Sequence, residues 1–156
     1  MTEKERYLAI AAKYHPEDVE AIPVEKSGPD GHRGKAYLHE EFDEEGNELP
    51  RKMEVPVPDT LGRLWVYLHE CAHFRLNHGR LMPDSNDYSR GEAEVNLEVM
   101  RIFDEEGLTA PLRVLLSEFE AFFPHVRDED ERYRHETVTR AIDEFHRRIK
   151  AARNRK

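Results

Sequence analysis

Between Leu61 and Leu76 the residues Leu61, Leu64, Trp65, Leu68, Ala72 and Leu76 recur at helical spacing. Such a stripe demands a helix with one face buried. Pro58 precedes it, Asp59 or Thr60 can cap it, and Gly79 can end it, which places a helix over 60–78. Inside it runs His69-Glu70-Cys71-Ala72-His73, an H-E-x-x-H pattern. Residues four apart lie on one helix face about one turn apart, so His69 and His73 can offer two imidazole nitrogens to one metal ion. Glu70, beside them, is placed to take a proton from a water. Cys71 projects to another side of the helix and reads as a small packing residue. His78 falls off the ligand face and reads as structural or solvent-facing. In a chain with nine histidines and 33 acidic residues, the pattern alone has an appreciable chance rate. Its support has to come from the surrounding chain.

Composition narrows the classes. The 156 residues suffice for one ordinary domain with a single core. The formal charge is -9, from 24 basic and 33 acidic residues. A field of that sign repels phosphates, so no direct nucleic-acid binding and no anionic-membrane binding is expected. A single cysteine excludes an internal disulfide and a Cys-rich zinc knuckle. No apolar run approaches the roughly 20 residues of a membrane span. The first residues, MTEKERYLAIAAKYHPED, lack the apolar run of a signal peptide. The expected location is the cytoplasm.

The rest of the chain reads as α+β. Thr2 to about Lys13 is a short helix with a Thr2/Glu5 capping box and a face of Leu8, Ala11 and Ala12, ended by His15-Pro16. Glu25 to Gly34 is a loop by its Gly, Pro, Ser and Asp content. Lys35–Phe42 and Lys52–Val57 alternate, the first with Ala36, Leu38 and Phe42 on one side, the second with Met53, Val55 and Val57. Together they read as a β-hairpin over 35–57. Pro50, Pro56 and Pro58 make its second strand short or an edge strand. After a loop over 81–88, Ser89 opens a helix over 89–106 with Val95, Val99, Met100 and Phe103 inward, stopped by Gly107. A helix over 110–123 follows, with Leu112, Leu115, Leu116, Phe119, Phe122 and Phe123 as its apolar face, closed by Pro124. The last helix, 128–152, turns Val138, Ala141, Ile142, Phe145 and Ile149 inward. Its basic end (Arg147, Arg148, Lys150, Arg153, Arg155, Lys156) is a solvated terminus favoured by the helix dipole or a docking patch for an acidic partner or nucleic acid.

A hydrolytic zinc site needs three protein ligands and one open position. No third histidine extends the motif. The helix over 89–106 offers Glu92 as third ligand, with Glu94 as the alternative, pointing about 200° away. Asn96, one turn from Glu92, is the candidate to accept a hydrogen bond from the far nitrogen of a ligand histidine. Ser89-x-x-Glu92 is also a capping box, a role that competes for the same carboxylate. Tyr88 and Arg90 are the candidates for a donor to a developing oxyanion.

With these residues in hand, LWVYLHECAHFRLNH followed by SRGEAEVNLEVMR resembles the ImmA/IrrE family of metallo-endopeptidases. In that family H-E-x-x-H with a nearby Leu-x-His precedes E-x-E-A-N/D on the next helix. The resemblance covers about residues 55–107. Val95 stands where the family prefers alanine, and Glu98 where it prefers an aromatic. It implies a zincin-like single domain over 1–156, with a small antiparallel sheet or hairpin packed on helices. It also implies Zn2+ held by His69, His73 and Glu92, with Glu70 as general base. In zincin proteases an exposed strand beside the metal can hold an extended substrate by strand addition. The implied activity is hydrolysis of a peptide bond in a protein substrate, such as a DNA-binding repressor of a mobile element or stress response. The rivals are a non-catalytic zinc-binding interaction module and a phage or plasmid anti-restriction protein whose acidity mimics DNA. Glu70 favours catalysis, because a structural site has no use for a base there.

Overall fold

The computed structural model describes residues 1–24, 34–38, 41–76, 88–127 and 135–155. Two compact units divide the chain, Met1–Leu81 and Met82–Lys156. Among the described residues they hold five helices and a three-stranded sheet, an α+β composition. No helix among these residues is long and apolar enough to cross a membrane.

The first unit contains α1 (Glu3–Tyr14), β1 (Val19–Pro23), β2 (Lys35–Tyr37), β3 (Arg51–Val55) and α2 (Leu61–Arg75). The capping box at α1 is complete. Glu5 N–H donates to Thr2 Oγ1 at 3.1 Å, and Thr2 N–H donates to Glu5 Oε2 at 2.8 Å. The buried face of α1 is Tyr7, Ile10 and Ala11 rather than the expected Leu8, Ala11 and Ala12; Leu8 is 37% exposed. Tyr7 and Ile10 carry more apolar surface than Leu8 and Ala12, so burying them removes more of it from water. His15 ends the helix in an extended conformation, as a residue before proline should.

The sheet order is β1-β3-β2, with β1 parallel and β2 antiparallel to β3. The antiparallel β2/β3 pair realises the expected hairpin, with Ala36 opposite Met53. Two details differ from the sequence reading. The second strand is short but central, because Val19–Pro23 pairs along its other side. Its prolines at 50 and 56 lie just outside the ladder, where no N–H is needed. The core-facing alternation also stops early: Phe42 is 58% exposed and Val57 46% exposed. Pro56 cannot extend the ladder, so Val57 lies beyond the strand. Between the hairpin arms, Asp43 Oδ1 accepts from the backbone N–H groups of Glu45 and Asn47, and Gly46 takes a positive φ. The Asn47 N–H, foremost among those bonds, holds the Asp43 carboxyl below its ordinary pKa.

Helix α2 is the centre of this unit. Thr60 caps it by accepting from Arg63 N–H, and Asp59 pairs with Arg63 at 2.6 Å. Cys71 and Phe74 pack with Val19, Met53 and Val55 of the sheet, with Ala21, Ala36, Leu38 and Tyr67 around them. Leu64, Trp65, Leu68 and Ala72 are fully buried, and α1 lies against the helix. The helix is therefore buried on more sides than the single stripe predicts. His15 adds a tie across the unit: its ring nitrogens lie 2.7 Å from Tyr67 Oη and 2.6 Å from the Val19 carbonyl oxygen. The carbonyl can only accept, which makes Nε2 the N–H and leaves Nδ1 to accept from the tyrosine. Burial, with a smaller contribution from Cys71, pushes the Tyr67 hydroxyl up to about 12, so it stays protonated as that bond requires.

The second unit contains α3 (Tyr88–Glu105), α4 (Leu112–Arg127) and α5 (Glu136–Arg153), each in contact with the other two. Val95, Val99, Met100 and Phe103 of α3 are buried, as are Val138, Ala141, Ile142, Phe145 and Ile149 of α5. On α4 the fully covered residues are Val114, Leu115, Phe122 and Val126, while Phe119 stacks with Phe123 and leans on Phe145. Helix α3 ends in a Schellman motif, with Leu108 N–H to the Phe103 carbonyl at 2.8 Å and Gly107 N–H to the Asp104 carbonyl at 3.2 Å. Gly107 has φ 67°, the left-handed geometry that favours glycine.

Pro124 does not close α4; the helix runs on to Arg127. A proline inside a helix leaves the carbonyl four residues back without its amide partner. That residue, Glu120, is exposed like Pro124, so water can satisfy it. The expected beginning of the last helix, 128–134, lies outside the described residues; from Glu136 onward His135 caps it by accepting from Thr137 N–H. Within its basic end, Arg147 pairs with Glu144, and Arg148 pairs with both Glu144 and Asp104.

This packing sets two stability differences measurable by urea unfolding. Phe145→Ala, which empties a fully buried ring position, should cost about 3–5 kcal/mol. Gly107→Ala should cost about 1–2 kcal/mol through backbone strain alone.

Candidate metal centre

Two imidazoles reach the same side of α2 because the motif spacing matches the helical turn. The rings of His69 and His73 stand edge to face with centroids 5.0 Å apart. Both residues are partly buried, and His69 Nδ1 is closed off from solvent. Glu70, between them in sequence, is only 8% exposed.

His69, His73 and Glu92 form a group that could hold a metal ion: one ligand atom from each lies within 4.8 Å of the others. Two imidazole nitrogens and one carboxylate oxygen make a donor set suited to zinc. Asn96, one turn beyond Glu92 on α3, is 2% exposed, and its Oδ1 has no hydrogen-bond partner among the described residues. A buried acceptor left in that condition is rare and costly. The alternative ligand, Glu94, lies 3.9 Å from Arg90, with both side chains more than a third exposed. Arg90 thus faces Glu94 on an outer part of α3. Ser89 is fully buried within the helix, which begins at Tyr88. The Tyr88 side chain, His78, Gly79 and the loop over 81–87 lie outside the described residues.

Cys71 is 1% exposed and belongs to the core cluster, as its place on the helix predicts. Burial, reinforced by the Glu70 charge, pushes its thiol up to about 12. A thiol in that state is neither a ready nucleophile nor a ready ligand.

One neighbour of the motif is absent from the sequence reading. A Cβ at Gly34 would stand 2.8 Å from Cγ of Glu70, 3.1 Å from Glu70 Oε1 and 3.1 Å from the Glu54 carbonyl oxygen. The only sequence signal was a glycine directly before a strand, a place where close backbone approach is common. His73 and Phe74 also line a cleft of about 1080 Å³, whose charged lining is Glu17, Asp18, Glu20 and Glu48 with Arg51.

No protein-family model matches the chain, and neither the curated proteins nor the solved structures contain a match.

The burial of Cys71 makes a simple chemical prediction. The native protein at pH 8 should not react with a thiol-specific disulfide reagent over minutes, whereas the urea-unfolded protein should release one equivalent at once.

Proposed function

We propose that this chain is a zinc-dependent endopeptidase of the cytoplasm, similar to the ImmA/IrrE group. The observation that carries the proposal is the donor set His69, His73 and Glu92 with a buried carboxylate, Glu70, in the same motif. His69, His73 and Glu92 would hold the ion, and Asn96 would serve as a nearby hydrogen-bond acceptor. Zinc bound there would act as a Lewis acid towards a peptide carbonyl and would acidify a water molecule. Glu70 takes the proton from the attacking water and delivers it to the leaving amine nitrogen. Its burial keeps the carboxylate away from bulk water, where proton transfer to the substrate would compete with solvent.

The cleft beside His73 offers a place for the substrate chain. Four carboxylates against one arginine in its lining disfavour phosphates, which supports a protein substrate over a nucleic acid. A DNA-binding repressor of a mobile element or stress response is the substrate class that the family resemblance suggests.

Two variants test the assignment. Glu70→Gln should bind zinc like the parent and lose about 100- to 10,000-fold in peptide hydrolysis, the range set by removal of a general base. Full activity of that variant would remove Glu70 from the mechanism. If zinc binds and no unfolded protein or helix-turn-helix repressor is cleaved, the non-catalytic interaction module replaces the peptidase. Glu92→Ala should weaken zinc binding at least about 100-fold, since loss of an outer partner alone costs about 10–100-fold. Unchanged affinity would exclude Glu92 as a ligand.

A further inference from the structure

We infer that Gly34 is a positioning residue for the Glu70 carboxylate, and that a side chain at this position displaces Glu70, because the backbone ahead of β2 packs directly against it. The inference deepens the peptidase reading, on which its catalytic half rests.

Three distances carry it. A Cβ at Gly34 would come within 2.8 Å of the Glu70 Cγ methylene, a separation that real Cβ atoms essentially never show. The same atom would lie 3.1 Å from Glu70 Oε1. The third contact, 3.1 Å to the Glu54 carbonyl oxygen, belongs to the backbone of β3. Since β3 is the central strand, that side of the space cannot yield. An added methyl group would therefore have to move Glu70.

Glycine is usually required for its backbone freedom, and that reason does not apply here. The positive-φ glycines among the described residues are Gly46 and Gly107. Gly34 has backbone angles that other residues can adopt, so its requirement is one of space.

Glu70 has little room elsewhere. It is 8% exposed, on a helix whose neighbouring faces are buried against the sheet and α1. A long carboxylate side chain loses rotamer freedom when held this way, and the loss favours a single orientation for proton transfer. The element that confines it is β2, an edge strand beginning at the next residue, Lys35.

A double-mutant cycle on metal-free protein tests the contact without requiring any activity. Gly34→Ala should lower Tm by about 4–8 °C, the usual consequence of overpacking in a unit of this size. Glu70→Ala removes Cγ and the carboxylate, so in that background the same Gly34→Ala change should cost less than half as much. Equal losses in both backgrounds, or no loss in either, would overturn the inference. If Gly34→Ala does not fold alone but folds with Glu70→Ala, the inference stands; failure in both assigns the clash to the β3 backbone and overturns it.

In the zinc-loaded protein, Gly34→Ala should retain its metal and its KM within about 2-fold, while kcat falls at least about 10-fold. A purely structural role would instead lower the active fraction and leave kcat per folded molecule unchanged, which overturns the positioning role. Should the parent prove inactive, the peptidase reading fails, and the stability cycle alone decides whether Gly34 holds Glu70.

Discussion

Burial of a helix that carries three ionisable or metal-binding groups is the constraint on which the first unit depends. Helix α2 must bury Leu64, Trp65, Leu68, Ala72 and Phe74 and still keep His69, Glu70 and His73 usable. The chain solves this by covering the helix on two sides. The sheet takes Cys71 and Phe74, and α1 covers another part. The motif face is left with the carboxylate nearly enclosed and the imidazoles partly open. Placing a charge in such surroundings is costly unless nearby polar groups or a cation compensate. A cation held by the candidate group of His69, His73 and Glu92 would add to that compensation.

Small side chains make the arrangement possible. Cys71 fits where a larger residue would push the sheet away, and Gly34 lets the strand approach Glu70. His15 uses both ring nitrogens to tie the end of α1 to α2 and β1. That histidine is structural, whereas His69 and His73 belong to the candidate metal group. The difference lies in what surrounds each ring, since residue type alone cannot separate the two roles.

The features readable in the sequence were those governed by local periodicity. The capping box of Thr2 and Glu5, the caps at Thr60 and Gly107, the inward residues of α5 and the packing role of Cys71 all follow from spacing along the chain. Glu92 was legible as a candidate because a glutamate at the start of the next helix is what a two-histidine motif lacks. The features not readable were those set by distant partners. Val19–Pro23 becomes a strand by pairing with Arg51–Val55, which turns a presumed edge into the centre of a sheet. Tyr7 displaced Leu8 from the core, and α4 continued through Pro124 because its exposed carbonyl side reaches water. Gly34 gained its importance only from a residue far along the chain.

The central claim is that His69, His73 and Glu92 hold zinc beside a buried base. X-ray absorption at the zinc edge, combined with metal analysis of the purified chain, tests it most directly. The account predicts about one zinc per chain in a shell of nitrogen and oxygen donors, with the outer scattering of two imidazoles. Absence of bound zinc after exposure to the metal would contradict it, as would a sulfur donor, because the only cysteine is enclosed in the core against the sheet.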